Sequence, residues 1–169
     1  YQQSNMTFPA LIAPVVNLAG EIVNVHQTFL SADGRKAPVD KPKLLMPSLV
    51  PGALNGAAIR LYKAGFTLAV AEGAETALAI RVARPDLPVW ATVSAAGMAS
   101  LQIPRSVKKV YVMADLDRSG SGQAAGRALS ERLLFAGIDV RLCLPPGPIP
   151  DGKKGLDWLD VLNGQKVAA

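Results

Sequence analysis

The pattern of apolar and polar positions changes character near residue 65. Before it, short β-rich runs occupy Ala10–Val16, Glu21–Phe29 and Ala57–Tyr62. Between them, Asn17-Leu18-Ala19-Gly20 and Ala32-Asp33-Gly34 carry turn chemistry, with Gly20 and Gly34 at natural hairpin positions. Lys41-Pro42-Lys43 and the stretch 47–52 break regular structure. This part predicts a small antiparallel, β-rich subdomain over residues 6–64. Past Gly65 the strands lose their alternation. Phe66–Ala71 and Val89–Val93 have the composition of strands covered on both faces. Lys109–Ala114 and Asp139–Leu144 supply a third and a fourth strand. Helical patterns stand between them: Ala74–Ala83, stopped before Pro85; a short one around Ala99–Leu101; and Gln123–Ala136, closed by Gly137. A loop rich in Pro and Gly then leads to a last helix, Leu156–Leu162, stopped near Asn163-Gly164. Strands alternating with helices predict an α/β domain over residues 65–165, with a roughly four-stranded parallel sheet flanked by helices.

Composition narrows the class. The chain has 169 residues, of which 50% are hydrophobic and 18% charged, enough apolar material for a core and too little charge for a disordered chain. Its 15 glycines and 13 prolines are scattered without a repeat, which excludes a collagen-like or low-complexity protein. No apolar run approaches the ~18 residues of a membrane span. The single cysteine, Cys143, excludes an internal disulfide framework and fits a reducing, cytoplasmic setting. One histidine and one cysteine cannot build a Cys/His zinc site. The net charge of +5 suits a polyanionic partner without requiring one. Tyr1-Gln2-Gln3-Ser4-Asn5 resembles the remnant of a protease-site tag, so the natural segment is expected to begin near Met6. No basic stretch leads a long apolar core, so no signal peptide is expected.

The carboxylates are where chemistry enters. In a parallel sheet the loops after the strands emerge on one edge, and ligands bind there. Glu72 directly follows the first buried strand. Asp115 and Asp117 follow the third, in Ala114-Asp115-Leu116-Asp117-Arg118-Ser119-Gly120. Asp157 and Asp160 come after the loop that leaves the fourth strand. Five carboxylates brought to one edge repel one another, and a cation relieves that repulsion. Hard oxygen ligands select Mg²⁺ or Mn²⁺, which keep waters and engage substrate phosphates. The pattern therefore points to metal-assisted phosphoryl or nucleotidyl transfer. Each piece has a plainer reading: Glu72 as a carboxylate at a helix start, Asp157 and Asp160 as a cap and a solvated face. The run Ser119-Gly120-Ser121-Gly122 fits either a phosphate cradle at a helix start or a flexible cap.

Val70-Ala71-Glu72-Gly73, followed by an Ala-rich helix, resembles the first motif of the Toprim domain. Asp115-Leu116-Asp117-Arg118-Ser119-Gly120 resembles its second, Asp-x-Asp-x-x-Gly. Ala91-Thr92-Val93-Ser94 and Ala124-Ala125-Gly126-Arg127-Ala128-Leu129 resemble segments of bacterial replicative primases. Upstream, His26-Gln27-Thr28-Phe29-Leu30, Asp33-Gly34-Arg35-Lys36-Ala37, Lys43-Leu44-Leu45 and Gly56-Ala57-Ala58-Ile59-Arg60-Leu61 are similar to the region before Toprim in primases or primase-helicases of phages, plasmids and mobile elements. The resemblance implies a Toprim fold and primer synthesis from nucleoside triphosphates on single-stranded DNA. It implies Mg²⁺ ligation by Asp115 and Asp117. Glu72 becomes a general base or a further ligand, and Asp157, with Asp160 as its neighbouring candidate, serves a second metal. Arg118, Arg60, Lys41, Lys43, Arg35 and Lys36 become the cations for template or nucleotide. A helicase and a zinc-binding module are the implied partners, which suggests a fragment or a stand-alone relative. Two positions depart from the pattern. Thr76 stands where replicative primases have Asp, and Glu75, one residue earlier, lies about 100° round the helix. Leu159 replaces the Asn of the third motif. Both departures bear on the second metal.

Two other classes remain. A phosphatase of the haloacid-dehalogenase type would use Asp115 as nucleophile with Lys153 or Lys154 and the late acids, and would leave Glu72 idle. A non-catalytic DNA-binding or partner-docking module would use none of the acids. For His26, an ordinary half-buried role is expected; for Cys143, an inert core role; for Trp158, anchorage of the last helix.

Overall fold

The computed structural model describes residues 7–48 and 50–167; the tag-like residues 1–5 lie outside the described residues. The parallel half of the sheet is built from β5 (Thr67–Ala71), β6 (Val89–Ala91), β7 (Lys109–Met113) and β9 (Asp139–Cys143), in the order β6-β5-β7-β9. Every residue of Leu68–Ala71 is buried, because β5 is an inner strand with helices on both faces. Its side chains alternate between two cores. Leu68 and Val70 point with Val110 and Val112 toward Ala125, Leu129 and Leu133 of α3 (Ser121–Phe135) and Met98 of α2 (Ala95–Ser100). Ala69 and Ala71 point toward Ala74, Ala77 and Ile80 of α1 (Ala74–Ala83), with Trp158 of α4 (Trp158–Val167) packed on the same side. Small residues on α1 and large ones on α3 let two helix layers approach one sheet at native density.

The N-terminal strands extend that sheet. β1 (Ala10–Val16) pairs antiparallel with β2 (Ile22–Phe29) and with β4 (Ala58–Ile59), and Ile59 pairs with Ala91 of β6. The two-residue β4 therefore joins an antiparallel half to a parallel half in one eight-stranded sheet, ordered β3-β2-β1-β4-β6-β5-β7-β9. β3 (Lys43–Leu45) forms where the sequence suggested a break. Its position at the edge tolerates Pro42, whose carbonyl still accepts the Phe29 N–H at 2.7 Å. α4 runs on through Gly164, since one helical glycine lowers stability by only ~1 kcal/mol and does not end a helix. Trp158 packs against the core at the start of α4; His26, expected half-buried, is buried in β2, and Cys143, expected in the core, is only half-buried because it ends the edge strand β9.

A close approach fixes the turn after β6. A Cβ on Gly97 would sit 2.1 Å from the Thr92 carbonyl oxygen, so only glycine lets α2 pack there. The chain between them takes Val93 through a left-handed conformation, φ 71°, which is strained by ~1–2 kcal/mol for a β-branched residue. Local bonds hold it: Val93 N–H donates to the Glu72 carbonyl at 2.8 Å, and the Ser94 hydroxyl caps α2 by accepting from Gly97 N–H at 3.1 Å. Backbone strain of this kind, tied to Glu72, marks the edge where the site lies.

Candidate functional site

The carboxyl ends of β5 and β7 carry Glu72 and Asp115. A small ladder brings in the rest. β8 (Leu116–Asp117) pairs antiparallel with β10 (Gly155–Leu156), with Gly155 opposite Asp117. Glycine is required at that point, because a Cβ on residue 155 would meet the Leu116 carbonyl at 2.9 Å. Arg118 reinforces the pairing. Its N–H donates to the Lys154 carbonyl and its Nε to the Lys153 carbonyl, both at 3.0 Å. The result is a cleft of about 620 Å³ lined by Glu72, Asp115, Asp117, Asp157 and Asp160. Arg118, Lys153 and Lys154 also line it, as do Ser119 and Ser121.

The acids are not equivalent. Asp115 is half-buried, and its Oδ1 is fully enclosed with no hydrogen-bond partner. Burial, then the charges of Asp157, Glu72 and Asp117, push its carboxyl up to about 7. Burial and the Asp117 charge also hold Glu72 above the ordinary range, against a pull from the Ala95 amide and Lys43. Asp117 goes the other way. Burial raises it, but donors outweigh that: the Ser119 hydroxyl at 2.5 Å, Gly122 N–H at 2.8 Å and Ser121 N–H at 3.2 Å bring it to about 2. Asp117 thus caps α3 across Gly120, whose φ of 77° makes the turn. The Ser121 and Gly122 amides serve this carboxylate as a cap, and Gly120 N–H donates to the Asp117 backbone carbonyl at 3.2 Å.

Asp157 and Asp160 form a reciprocal cap on α4. Asp160 N–H donates to Asp157 Oδ1 at 2.8 Å, and Asp157 N–H donates to Asp160 Oδ2 at 3.4 Å. Lys153 Nζ lies 2.6 Å from Asp160 Oδ1. Both Asp160 oxygens are therefore engaged within the fold.

The remaining cations separate. Lys43 Nζ is 2.7 Å from Glu75 Oε2 at the margin of the cleft, and its charge lowers both Glu72 and Asp115. The Lys36 charge also lowers Glu75. Arg60 lies elsewhere. Its guanidinium stacks 4.5 Å from the Trp90 ring centroid and donates to the Asn17 carbonyl, in a different cavity with Tyr62. Arg35 pairs with Asp33 at 3.3 Å on an exposed hairpin, and Lys41 is exposed outside the cleft lining. Lys153 and Lys154, which the sequence suggests only as partners of a phosphatase nucleophile, line the cleft. The signal for them was a basic pair directly before Gly155 and the third acidic motif.

Among the described residues, no three acids are gathered on one point as a ready-made metal cage. Mg²⁺ does not need one, since it keeps several waters and is held by one or two carboxylates plus substrate phosphates. The donor set fits such an ion: the candidate ligands are hard oxygens, and Asp115 Oδ1 is enclosed with no hydrogen-bond partner, where a cation would offset the neighbouring carboxylates. Asp160→Ala should then lower stability by ~1 kcal/mol through loss of the cap, measured by urea unfolding, and leave Mn²⁺ affinity within a few-fold. Asp117→Ala should destabilise by a similar ~1 kcal/mol near neutral pH. Because its folded value lies below its unfolded one, that contribution should fade as the pH falls from the ordinary carboxylate range toward about 2.

The fold and this cleft agree with the family comparison. A family described as the Toprim domain matches residues 67–166, and the chain belongs to it. A domain of unknown function (DUF7146) matches residues 1–60. No curated protein matches the chain. The primase fragment of the bacteriophage T7 primase-helicase protein superposes with a TM-score of 0.62 at 17% identity, covering 95% of this chain and 60% of that one. The DnaG catalytic core gives 0.60 at 19% identity, covering 92% and 49%. A DNA primase domain from Pseudomonas aeruginosa gives 0.57 at 17%, covering 92% and 47%. The chain thus shares the fold of primase fragments and spans roughly half to 60% of their length. Among the described residues no helix is long and apolar enough to cross a membrane.

Proposed function

We propose that this chain is the Mg²⁺- or Mn²⁺-dependent nucleotidyl-transferring core of a DNA primase. It joins nucleoside triphosphates into RNA primers on single-stranded DNA, in the cytoplasm, during replication of a phage, plasmid or mobile element. The observation that carries this reading is the joint lining of one cleft by Glu72, Asp115, Asp117 and Asp157, with Asp115 pushed up to about 7 by burial and then by its acidic neighbours. Asp115 and Asp117 are the residues to hold the cation, with Asp157 beside them. When bound, a divalent cation supplies charge neutralisation at the substrate phosphates and at the phosphorus under attack.

The chain's own groups do the rest. Glu72, held above the ordinary carboxylate range, is suited to take the proton of an attacking 3′-hydroxyl on a side-chain oxygen. Asp117 stays ionised at any working pH, and its three donors fix its orientation. Arg118 holds the 150–154 loop so that Asp157 remains at the site. Lys153 and Lys154 place positive charge at the rim, where phosphates approach. Positioning of the two substrates supplies much of the remaining rate. The phage T7 relative is a primase-helicase, which supports a helicase as partner here; a zinc-binding module to read the template is the second.

Glu72→Gln tests this. Primer synthesis should fall by ~10²–10⁴-fold, the usual contribution of a general base, with Mn²⁺ still bound. A phosphatase using Asp115 alone would keep its rate in that variant. The phosphatase reading is in any case disfavoured by the family match and by Glu72 lining the same cleft as Asp115.

A further inference from the structure

We propose that Gln123 is a positioning residue whose side-chain amide clamps the backbone of Asp117, so that Asp115 and Asp117 present their carboxylates to one divalent cation. This rests on the nucleotidyl-transfer reading. It adds a residue that acts on the cleft without lining it.

The register of the small ladder shows why a clamp is needed. In an antiparallel pair, positions whose amides bond across to the partner alternate with positions whose amides point away. Arg118 N–H donates to the Lys154 carbonyl at 3.0 Å, and Gly155 stands opposite Asp117. The 118–154 position is therefore the bonded one, and the N–H and C=O of Asp117 point away from β10. The close approach there agrees, since a Cβ on Gly155 would lie 3.3 Å from Asp117 Cα and non-bonded pairs are the closer ones. β8 has β10 as its only partner among the described residues. Its outer edge would leave the backbone groups of Asp117 unfilled in a part-buried turn.

Gln123 fills that edge. Its Nε2 donates to the Asp117 carbonyl at 2.9 Å, and its Oε1 accepts the Asp117 N–H at 3.4 Å. One amide thus supplies the donor and the acceptor that a third strand would supply, and a single orientation satisfies both. The sequence explains the reach. Ser119-Gly120-Ser121-Gly122 offers no side chain longer than a hydroxymethyl, so Gln123 is the first residue of α3 able to span back to Asp117. Gly122 lets α3 start this close: a Cβ there would lie 2.8 Å from the Asp115 carbonyl oxygen.

The clamp has a task that the cap does not perform. Ser119, Ser121 and Gly122 bond the carboxylate oxygens of Asp117 and fix them relative to α3. Gln123 instead holds the main chain, which also carries Asp115 two residues earlier. A cation shared by both acids depends on that main chain, because a working site tolerates only ~0.5 Å of drift among its groups.

The experiment uses the full chain without nucleotide. Calorimetry measures Mn²⁺ affinity, urea unfolding measures stability without metal, and amide hydrogen exchange reads the Asp117 N–H directly. Gln123→Met keeps the length and helix preference of the side chain and removes both bonds. Gln123→Asn keeps the amide but is one methylene too short, and it preserves the test if the Met variant does not fold. In both, the Asp117 amide should exchange about tenfold faster, the effect of one lost hydrogen bond. Mn²⁺ affinity should fall ~10–100-fold, as it does when a metal ligand loses its outer partner, with little change in the urea midpoint. Unchanged Mn²⁺ affinity in the variants would overturn the proposal. So would an Asp117 amide that exchanges equally fast with and without Gln123, or an affinity loss matched by an equal loss of stability. Asp115→Asn, run alongside, separates the two levels. If it abolishes Mn²⁺ binding while the Gln123 variants bind normally, the positioning role falls and the nucleotidyl-transfer reading stands. If Asp115→Asn leaves Mn²⁺ binding intact, the underlying reading falls and takes the proposal with it.

Discussion

Asp115→Asn is expected to raise the melting temperature of the metal-free protein at about pH 8 and to abolish divalent-cation binding. The two effects have one cause. The folded Asp115 carboxyl sits near 7, above its ordinary value, because burial and three neighbouring acids disfavour its charge. Between the ordinary carboxylate range and about 7 the folded state therefore binds more protons than the unfolded one. Stability falls as the pH rises through that window, and above it the penalty is fully present. Asparagine removes the penalty, so it stabilises above about pH 7 and does nothing below about pH 4. After discounting for solvent screening the gain is ~1–2 kcal/mol, or ~3–6 °C for a chain of this size. Cation binding should fall by more than the ~10–100-fold that follows loss of an outer partner of a metal ligand. A variant that is more stable and cannot bind its ion is the mark of a carboxylate kept for function. Thermal scans at about pH 4 and pH 8, with and without Mn²⁺, check both parts.

Gly97→Ala should produce the largest loss of stability among small substitutions near the site. The added methyl would lie 2.1 Å from the Thr92 carbonyl oxygen and 3.2 Å from its carbon, both backbone atoms that cannot step aside. The expected cost is ~3 kcal/mol or more. The damage should also reach the chemistry, because Thr92 and Val93 donate to the carbonyls of Ala71 and Glu72. Gly164→Ala provides the contrast. Nothing lies within 4 Å of its added methyl, and it stands inside α4, so it should stabilise by ~0.5–1 kcal/mol. Urea unfolding of the two variants should move in opposite directions.

The sequence was most legible where burial leaves no choice. The expected strand Phe66–Ala71 has little polar alternation because Leu68–Ala71 of β5 is covered on both faces between β6 and β7; Phe66, at its start, falls outside β5 and is exposed. α1 has the bounds that its Ala-rich pattern and Pro85 suggested. Glu72, Asp115 and Asp117 were legible because strand ends in a parallel sheet share an edge. What escaped notice depends on long-range contact. The β8–β10 ladder has two residues on each strand, too few for a period to show. The Lys43–Glu75 pair spans 32 residues and joins two halves with different patterns. Arg60 resembled a template contact, yet it is taken up by Trp90 and the Asn17 carbonyl. A guanidinium stacked on an aromatic ring leaves no local trace in the chain.

We propose that the acids of this cleft form a divalent-cation site for nucleotidyl transfer. Crystals soaked in Mn²⁺ with a non-hydrolysable nucleoside triphosphate, examined by anomalous scattering, test it most directly. A manganese peak is expected against Asp115 and Asp117, with the triphosphate beside it and Glu72 facing the same space. A peak held by Asp115 and Asp157 with Glu72 remote, or a cleft without manganese at millimolar concentration, would contradict it.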